Sequence, residues 1–253
     1  VTGAIGVTVR GNAETRAGPL FSALELTLGE GRWTCLLGVS GVGKSTLLRL
    51  IAGLETHADF QGRIEASDGQ RIPGRVAYMA QSDLLFPWSS VLGNVTAGAR
   101  LRGERPCLAR ARALLARVGL AELENRKPAA LSGGQRQRVA LARTLAEDRP
   151  VILLDEPFSA LDAHTRSEMQ DLAFELLEGR TVLLVTHDPG EAARLGHRIH
   201  VMTATGLRSI RMPSGNPPRP VDDPSMLTCQ GALHRLLRDS VTPSGGNRRV
   251  PAT

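Results

Sequence analysis

A chain of 253 residues suits one α/β domain, or one domain with an inserted subdomain. Hydrophobic residues make up 42% and aromatics 3%, so Leu, Val, Ile and Ala must fill the core, and the dispersed, arginine-rich charge of +6 reads as a solvated surface with no nucleic-acid stripe. No apolar run approaches the ~20 residues of a spanning helix, no export signal opens the chain, and Cys35, Cys107 and Cys229 show neither metal nor disulfide spacing, so a reducing cytoplasm is expected.

Along the chain, short alternating segments at 5–9 and 24–28 predict antiparallel strands. Residues 33–37 form an apolar strand that ends in a glycine-rich turn, and 45–54 then read as a helix. Another short strand is predicted at 75–80. From 84 to 146 the pattern becomes helical, clearest at 107–118. Buried-strand character returns at 151–154 and 181–185, with a helix at 162–177 between them. After Met212 come Pro213, Pro217, Pro218 and Pro220, then a helical stretch near 230–237. Residues 240–253 read as disordered. Strands alternating with helices predict an α/β fold with a mainly parallel sheet covered on both faces. An N-terminal antiparallel subdomain and a helical lobe at about 84–146 complete a domain at 1–212, and 213–253 form a C-terminal extension.

Gly38-Val39-Ser40-Gly41-Val42-Gly43-Lys44-Ser45 spells a phosphate loop between a strand and a helix, with Thr46 following. Glycines at Gly38, Gly41 and Gly43 let backbone N–H groups turn toward phosphate oxygens, and the helix N-terminus adds unpaired donors. Lys44, one of only two lysines, would contact the β- and γ-phosphates, and the Ser45 hydroxyl would ligate Mg²⁺. This motif implies a nucleoside triphosphate without choosing among the folds that use one.

The run at 151–154 ends in Asp155-Glu156-Pro157. Ligands of a parallel sheet sit beyond the carboxyl ends of its strands. Asp155 can therefore reach the Mg²⁺ ion, and Glu156 can polarise an attacking water as general base. Leu131-Ser132-Gly133-Gly134-Gln135 places an N-cap serine and two exposing glycines at another helix start, a second anion site.

With these motifs in this order, the chain resembles the ABC ATPase family over about residues 5–207. The resemblance rests on the phosphate loop, Gln81, the Leu-Ser-Gly-Gly-Gln signature, Asp155-Glu156, Ser159-Ala160-Leu161-Asp162 and His187. It implies a P-loop NTPase fold, a head-to-tail dimer with a second copy of the chain, and two ATP molecules with Mg²⁺ between them. Lys44 and Ser45 of one copy would face Ser132, Gly133, Gly134 and Gln135 of the other. Gln81 would sense metal and water, His187 would hold the γ-phosphate, and Asp162 would communicate across the dimer.

Two departures stand out. The family's adenine-stacking aromatic falls near residues 12–16, where there is none, which leaves cation–π stacking by Arg16 or loose base selectivity. Phe21 lies too close to the phosphate loop for that task. Val39 stands where proline is common.

Leu85-Phe86-Pro87-Trp88 and Val91-Leu92-Gly93-Asn94-Val95 resemble the nitrate, sulfonate, taurine and thiamine-precursor importers. The stretch from Gly31 to Leu37 is similar to the hydroxymethylpyrimidine subgroup. Phe86 and Trp88 then read either as lobe core or as the wall of a groove for a permease helix. This resemblance implies permease subunits, a periplasmic binding protein, and a place on the cytoplasmic face of the membrane. Ser132 lies 88 residues after Lys44, too few for the long coiled coil of DNA-repair members. Export, lipoprotein-release and cell-division machines remain the alternative.

Overall fold

The computed structural model describes residues 3–203 and 206–241. β1 (Val7–Thr15) and β2 (Gly18–Leu28) form a hairpin, and β3 (Trp33–Gly38) runs through the glycine-rich turn into α1 (Lys44–Ala52). β4 (Asp59–Ala66) and β5 (Val76–Met79) precede a lobe of α2 (Val91–Val95), α3 (Ala97–Leu101), α4 (Leu108–Arg117) and α5 (Gly133–Ala146). Then follow β6 (Val151–Asp155), α6 (Ala163–Leu176), β7 (Thr181–Val185), α7 (Pro189–Leu195), β8 (Arg198–Thr203), β9 (Gly206–Ile210) and α8 (Pro224–Val241).

Two sheets result. One is antiparallel, in the order β2-β1-β4; the other runs β5-β6-β7-β3-β8-β9 and is parallel except for the last pair. β3, β6 and β7 occupy the centre of the large sheet, and every one of their residues is buried. That explains why they read as unbroken apolar runs: helices or the second sheet cover both faces. Alternate residues serve opposite faces. Leu36, Leu153, Leu183 and Val185 pack toward α1 and the antiparallel sheet. Cys35, Leu37, Ile152, Leu154, Val182 and Leu184 face a core that continues into the lobe through Val139, Leu141, Leu115 and Val91.

The predicted fold class is the observed one. The helix foreseen at 45–54 stops at Ala52, where Gly53 takes φ 70° and its N–H bonds back to Leu50. Helix in the lobe begins only at Val91. Before it, Phe86 N–H donates to Asn94 Oδ1 (2.7 Å) and Asn94 Nδ2 returns to the Phe86 carbonyl (3.2 Å), pinning an irregular loop. β4, α7, β8 and β9 carried no clear sequence signal. The inward face of β4 is thin, with Phe60 and Ile64 half-buried, Ala66 small and Gly62 without a side chain, so its alternation is weak.

In the C-terminal extension the helix is longer than the stretch near 230–237 that its sequence suggested. Asp223 Oδ1 accepts from Met226 N–H (2.8 Å), starting α8 well before residue 230. Arg219 is buried and donates to the carbonyls of Ala193, Gly196, Ser214 and Pro213. It thereby caps the C-terminal end of α7 with positive charge. Disorder was expected over 240–253; the α8 backbone reaches Val241, and 242–253 lie outside the described residues.

Candidate functional site

At the carboxyl end of β3 the chain turns sharply. A Cβ on Gly38 would stand 2.6 Å from the Met202 carbonyl, and Gly43, the N-cap of α1, holds φ 101°. A side chain at either position would close or strain the loop. Lys44 folds back along it, donating Nζ to the carbonyls of Gly38 (2.8 Å) and Val39 (2.9 Å). Burial presses its pKa below the ordinary lysine value, while Glu156 and Asp155 pull it back up.

Asp155 lies at the end of β6, beneath the loop. Burial raises its pKa, opposed by a hydrogen bond from Ser45. Tyr78 Oη, on β5, also donates to Asp155 Oδ2 (3.4 Å), a neighbour the sequence did not flag. Burial pushes the Tyr78 phenol up to about 12, so it stays a donor. Ser45 and Asp155 thus offer paired oxygen donors. Such a set fits Mg²⁺, a hard cation that keeps waters and substrate phosphates as its remaining ligands.

Next in the chain, Glu156 projects its carboxylate over the loop. Gln81 Nε2 donates to Glu156 Oε2 (3.1 Å), and His187 Nδ1 lies 3.1 Å from the same oxygen. Phosphate-loop residues Gly38, Ser40, Gly41, Gly43, Lys44, Ser45 and Thr46 form one wall of a cleft of about 370 Å³, and Gln81, Glu156 and His187 the other. Leu20, the remaining lining residue, was not anticipated. Behind His187, Thr186 Oγ1 donates to Glu191 Oε2 (2.7 Å) and accepts from Asp188 N–H (3.0 Å). Burial raises the Glu191 carboxyl to about 7.

Other predicted residues lie away from this cleft. Ser132 caps α5 in a reciprocal box: Gln135 N–H donates to Ser132 Oγ (3.2 Å) and Ser132 N–H to Gln135 Oε1 (2.9 Å). With Gly133 and Gly134 they form an open patch at the start of α5, outside the lining of the phosphate cleft. Asp162 caps α6 through Thr165 N–H (3.0 Å), which holds its carboxyl below the usual range. Arg16 is exposed and lines a separate depression with Thr56 and His57, whereas Phe21 is buried beneath Gly43.

Phe86 and Trp88 stack on each other with centroids 5.3 Å apart. Trp88 is 73% exposed, which removes it from the lobe core. Phe86 is half-buried and lines a groove of about 320 Å³ with Tyr78, Leu101, Arg102, Arg143 and Glu147.

Residues 21–159 match the protein-family model of the ABC transporter. A Haemophilus influenzae protein described as an uncharacterized ABC transporter ATP-binding protein is 49% identical over 225 residues, 86% of this chain and 92% of its own length. The aliphatic sulfonates import ATP-binding protein SsuB 1 of Rhodococcus jostii is 49% identical over 199 residues, 77% of this chain and 78% of its own. Among solved structures, a dimeric ATP-binding cassette in a post-hydrolysis state, bound to ADP and Pi, superposes with a TM-score of 0.73. It shares 29% identity and covers 83% of this chain and 100% of its own.

Proposed function

The chain belongs to the ABC transporter ATP-binding family and is an ATPase, and on that premise we propose that it drives a bacterial importer of small molecules. The observation that carries the catalytic reading is the Glu156 carboxylate, held between Gln81 and His187 across the cleft from the phosphate loop.

Phosphates enter the loop against its backbone N–H groups and the start of α1. Lys44 trades the carbonyls of Gly38 and Val39 for phosphate oxygens, a stronger charge-assisted partner. Ser45 and Asp155 would hold Mg²⁺, which would supply neutralisation of phosphate charge. Glu156 orients water and takes its proton, while Gln81 and His187 fix the carboxylate and then the γ-phosphate. The patch at Ser132, Gly133 and Gly134 is free to receive the phosphates bound by a second copy, with Gln135 fixing its cap and Asp162 at the start of α6 beside it. ATP then favours the closed pair through contacts the open pair lacks.

The groove lined by Phe86, with exposed Trp88 stacked on it at the edge, is the docking place for a permease segment, its wall mixing Tyr78 and Leu101 with Arg102, Arg143 and Glu147. In this reading the chain works at the cytoplasmic face of the membrane, with a periplasmic binding protein reached through the complex. No helix among the described residues is long and apolar enough to cross a membrane. Among substrates, the relatives named for sulfonate import favour an aliphatic sulfonate over a thiamine precursor.

The test is capture from native membranes with Glu156→Gln and Mg-ATP, followed by mass spectrometry. A multispan permease with a binding protein that takes sulfonates supports the reading. Recovery of only a lipoprotein-release or cell-division membrane protein overturns it.

A further inference from the structure

Glu156 is one of four non-glycine residues with positive φ among the described residues, at φ 50°. Left-handed backbone is costly for a residue with a Cβ and persists only where surroundings hold it. The restraints on this one are specific. Its N–H donates to the Val185 carbonyl (2.9 Å). Its carbonyl accepts from Gln137 Nε2 (3.0 Å) and from Ser159 Oγ (3.0 Å).

Gln137 lies on α5, two residues beyond the capping box, and is only 5% exposed. Both ends of its amide are used. While Nε2 donates to Glu156, Oε1 accepts from Ala160 N–H (2.7 Å) in the loop before α6. One buried side chain therefore joins three segments: the helix that begins at Ser132, the strand end that carries Glu156, and the loop leading to Asp162. The direction of the Glu156 carboxylate follows from its φ and ψ. A backbone that relaxed out of the left-handed region would swing the carboxylate away from Gln81 and His187.

We propose that Gln137 is a positioning residue for hydrolysis, holding Glu156 in its strained backbone conformation and tying it to α5. The proposal rests on the reading of Glu156 as general base. It assigns the donor end of the amide the kinetic role and the acceptor end the loop.

Two substitutions separate these ends. Gln137→Met keeps length and helix preference but removes the amide's bonds to Glu156, Ser159 and Ala160. Gln137→Glu keeps an acceptor for Ala160 N–H and loses the donor to Glu156. Both should lower kcat for ATP hydrolysis 10- to 100-fold while KM for ATP stays within about threefold, because the phosphate loop is untouched. Circular dichroism and thermal unfolding should show both folded. A residue that only satisfied buried groups of the loop would leave Gln137→Glu near wild-type turnover, and that result overturns the proposal. So does a rise in KM at unchanged kcat. Glu156→Gln is measured alongside. If it keeps turning over, the base reading fails and takes the proposal with it; if it is inactive while Gln137→Met hydrolyses normally, the proposal alone fails.

Discussion

Replacing Lys44 by methionine tests the phosphate cradle through two signals of different size. In the free protein Lys44 donates to Gly38 and Val39 and is 8% exposed. Losing two such bonds costs about 1 kcal/mol each, and removing a cation that burial disfavours offsets part of that. The unliganded melting temperature should therefore fall by less than about 8 °C, given about 2–4 °C per kcal/mol at this size. Nucleotide binding should suffer far more. Losing the charge-assisted contacts to phosphate costs about 3 kcal/mol, roughly 150-fold in Kd. A non-hydrolysable ATP analogue at about 100 times the wild-type Kd stabilises the wild type by about 2.7 kcal/mol, or about 5–11 °C. At that concentration Lys44→Met should gain only about 0.3 kcal/mol, about 1 °C. Differential scanning fluorimetry with Mg²⁺ and the analogue reads both numbers. A variant that kept the full shift would refute the cradle as described.

Trp88→Ala should leave thermal unfolding within about 0.5 kcal/mol of wild type, since its ring is mostly exposed. It should weaken association with permease-containing membranes by at least about 30-fold in flotation, as an aromatic anchor does; undiminished association would remove the groove as the docking place. Glu191 should make stability fall with rising pH. Its folded pKa of about 7 exceeds the usual 4.5, so its contribution is whole below pH 4.5 and is lost as pH rises to 7, about 3 kcal/mol in all. Arg166, Asp188, His187 and the buried Cys35 face the same carboxylate, so urea titration of Glu191→Gln against wild type from pH 4.5 to 8 isolates its share. A decline of the same depth in both proteins would assign it elsewhere. Base selectivity should be weak, because among the described residues Leu20 is the only apolar side chain on the phosphate cleft and it offers no hydrogen bond to a base edge. ATP and GTP should compete within about fivefold, and a preference above about 50-fold would contradict this.

What the sequence announced were the segments whose chemistry admits few residue types. Gly38, Gly43 and Lys44 were legible because a phosphate cradle needs absent side chains and a long cation at fixed offsets. β3, β6 and β7 were legible because burial on both faces leaves unbroken apolar runs. β4 was silent, since most of its residues face solvent and its inward face carries only Phe60, Ile64 and Ala66, split by Gly62. α8 was underestimated because Asp223 caps it from a proline-rich stretch that reads as loop. In the site, Tyr78, Thr186 and Glu191 gave no warning. Each acts through a partner distant in sequence or through burial, and neither leaves a local pattern. Trp88 shows the opposite limit: the sequence placed an aromatic beside a proline but could not say which way it faced.

Glu156 explains why the cleft and the lobe belong to one device. Its N–H is fixed by β7, its carbonyl by α5 and Ser159, and its carboxylate by Gln81 and His187. Gln81 follows β5, and the loop after it is tied to α5 through Arg136–Asp83 (2.9 Å) and through Arg143, which donates to the carbonyls of Asp83 and Leu84. A tilt of the lobe against the sheet would therefore pull on the same carboxylate by two routes, one through Gln81 and one through the backbone. Packed cores repack between discrete arrangements more readily than they bend. On the proposed role of Glu156, a site built this way would couple the position of the lobe to water activation without any lobe residue lining the phosphate cleft of its own copy. In the proposed docking, a membrane partner seated at Phe86, on that same loop, would apply the tilt.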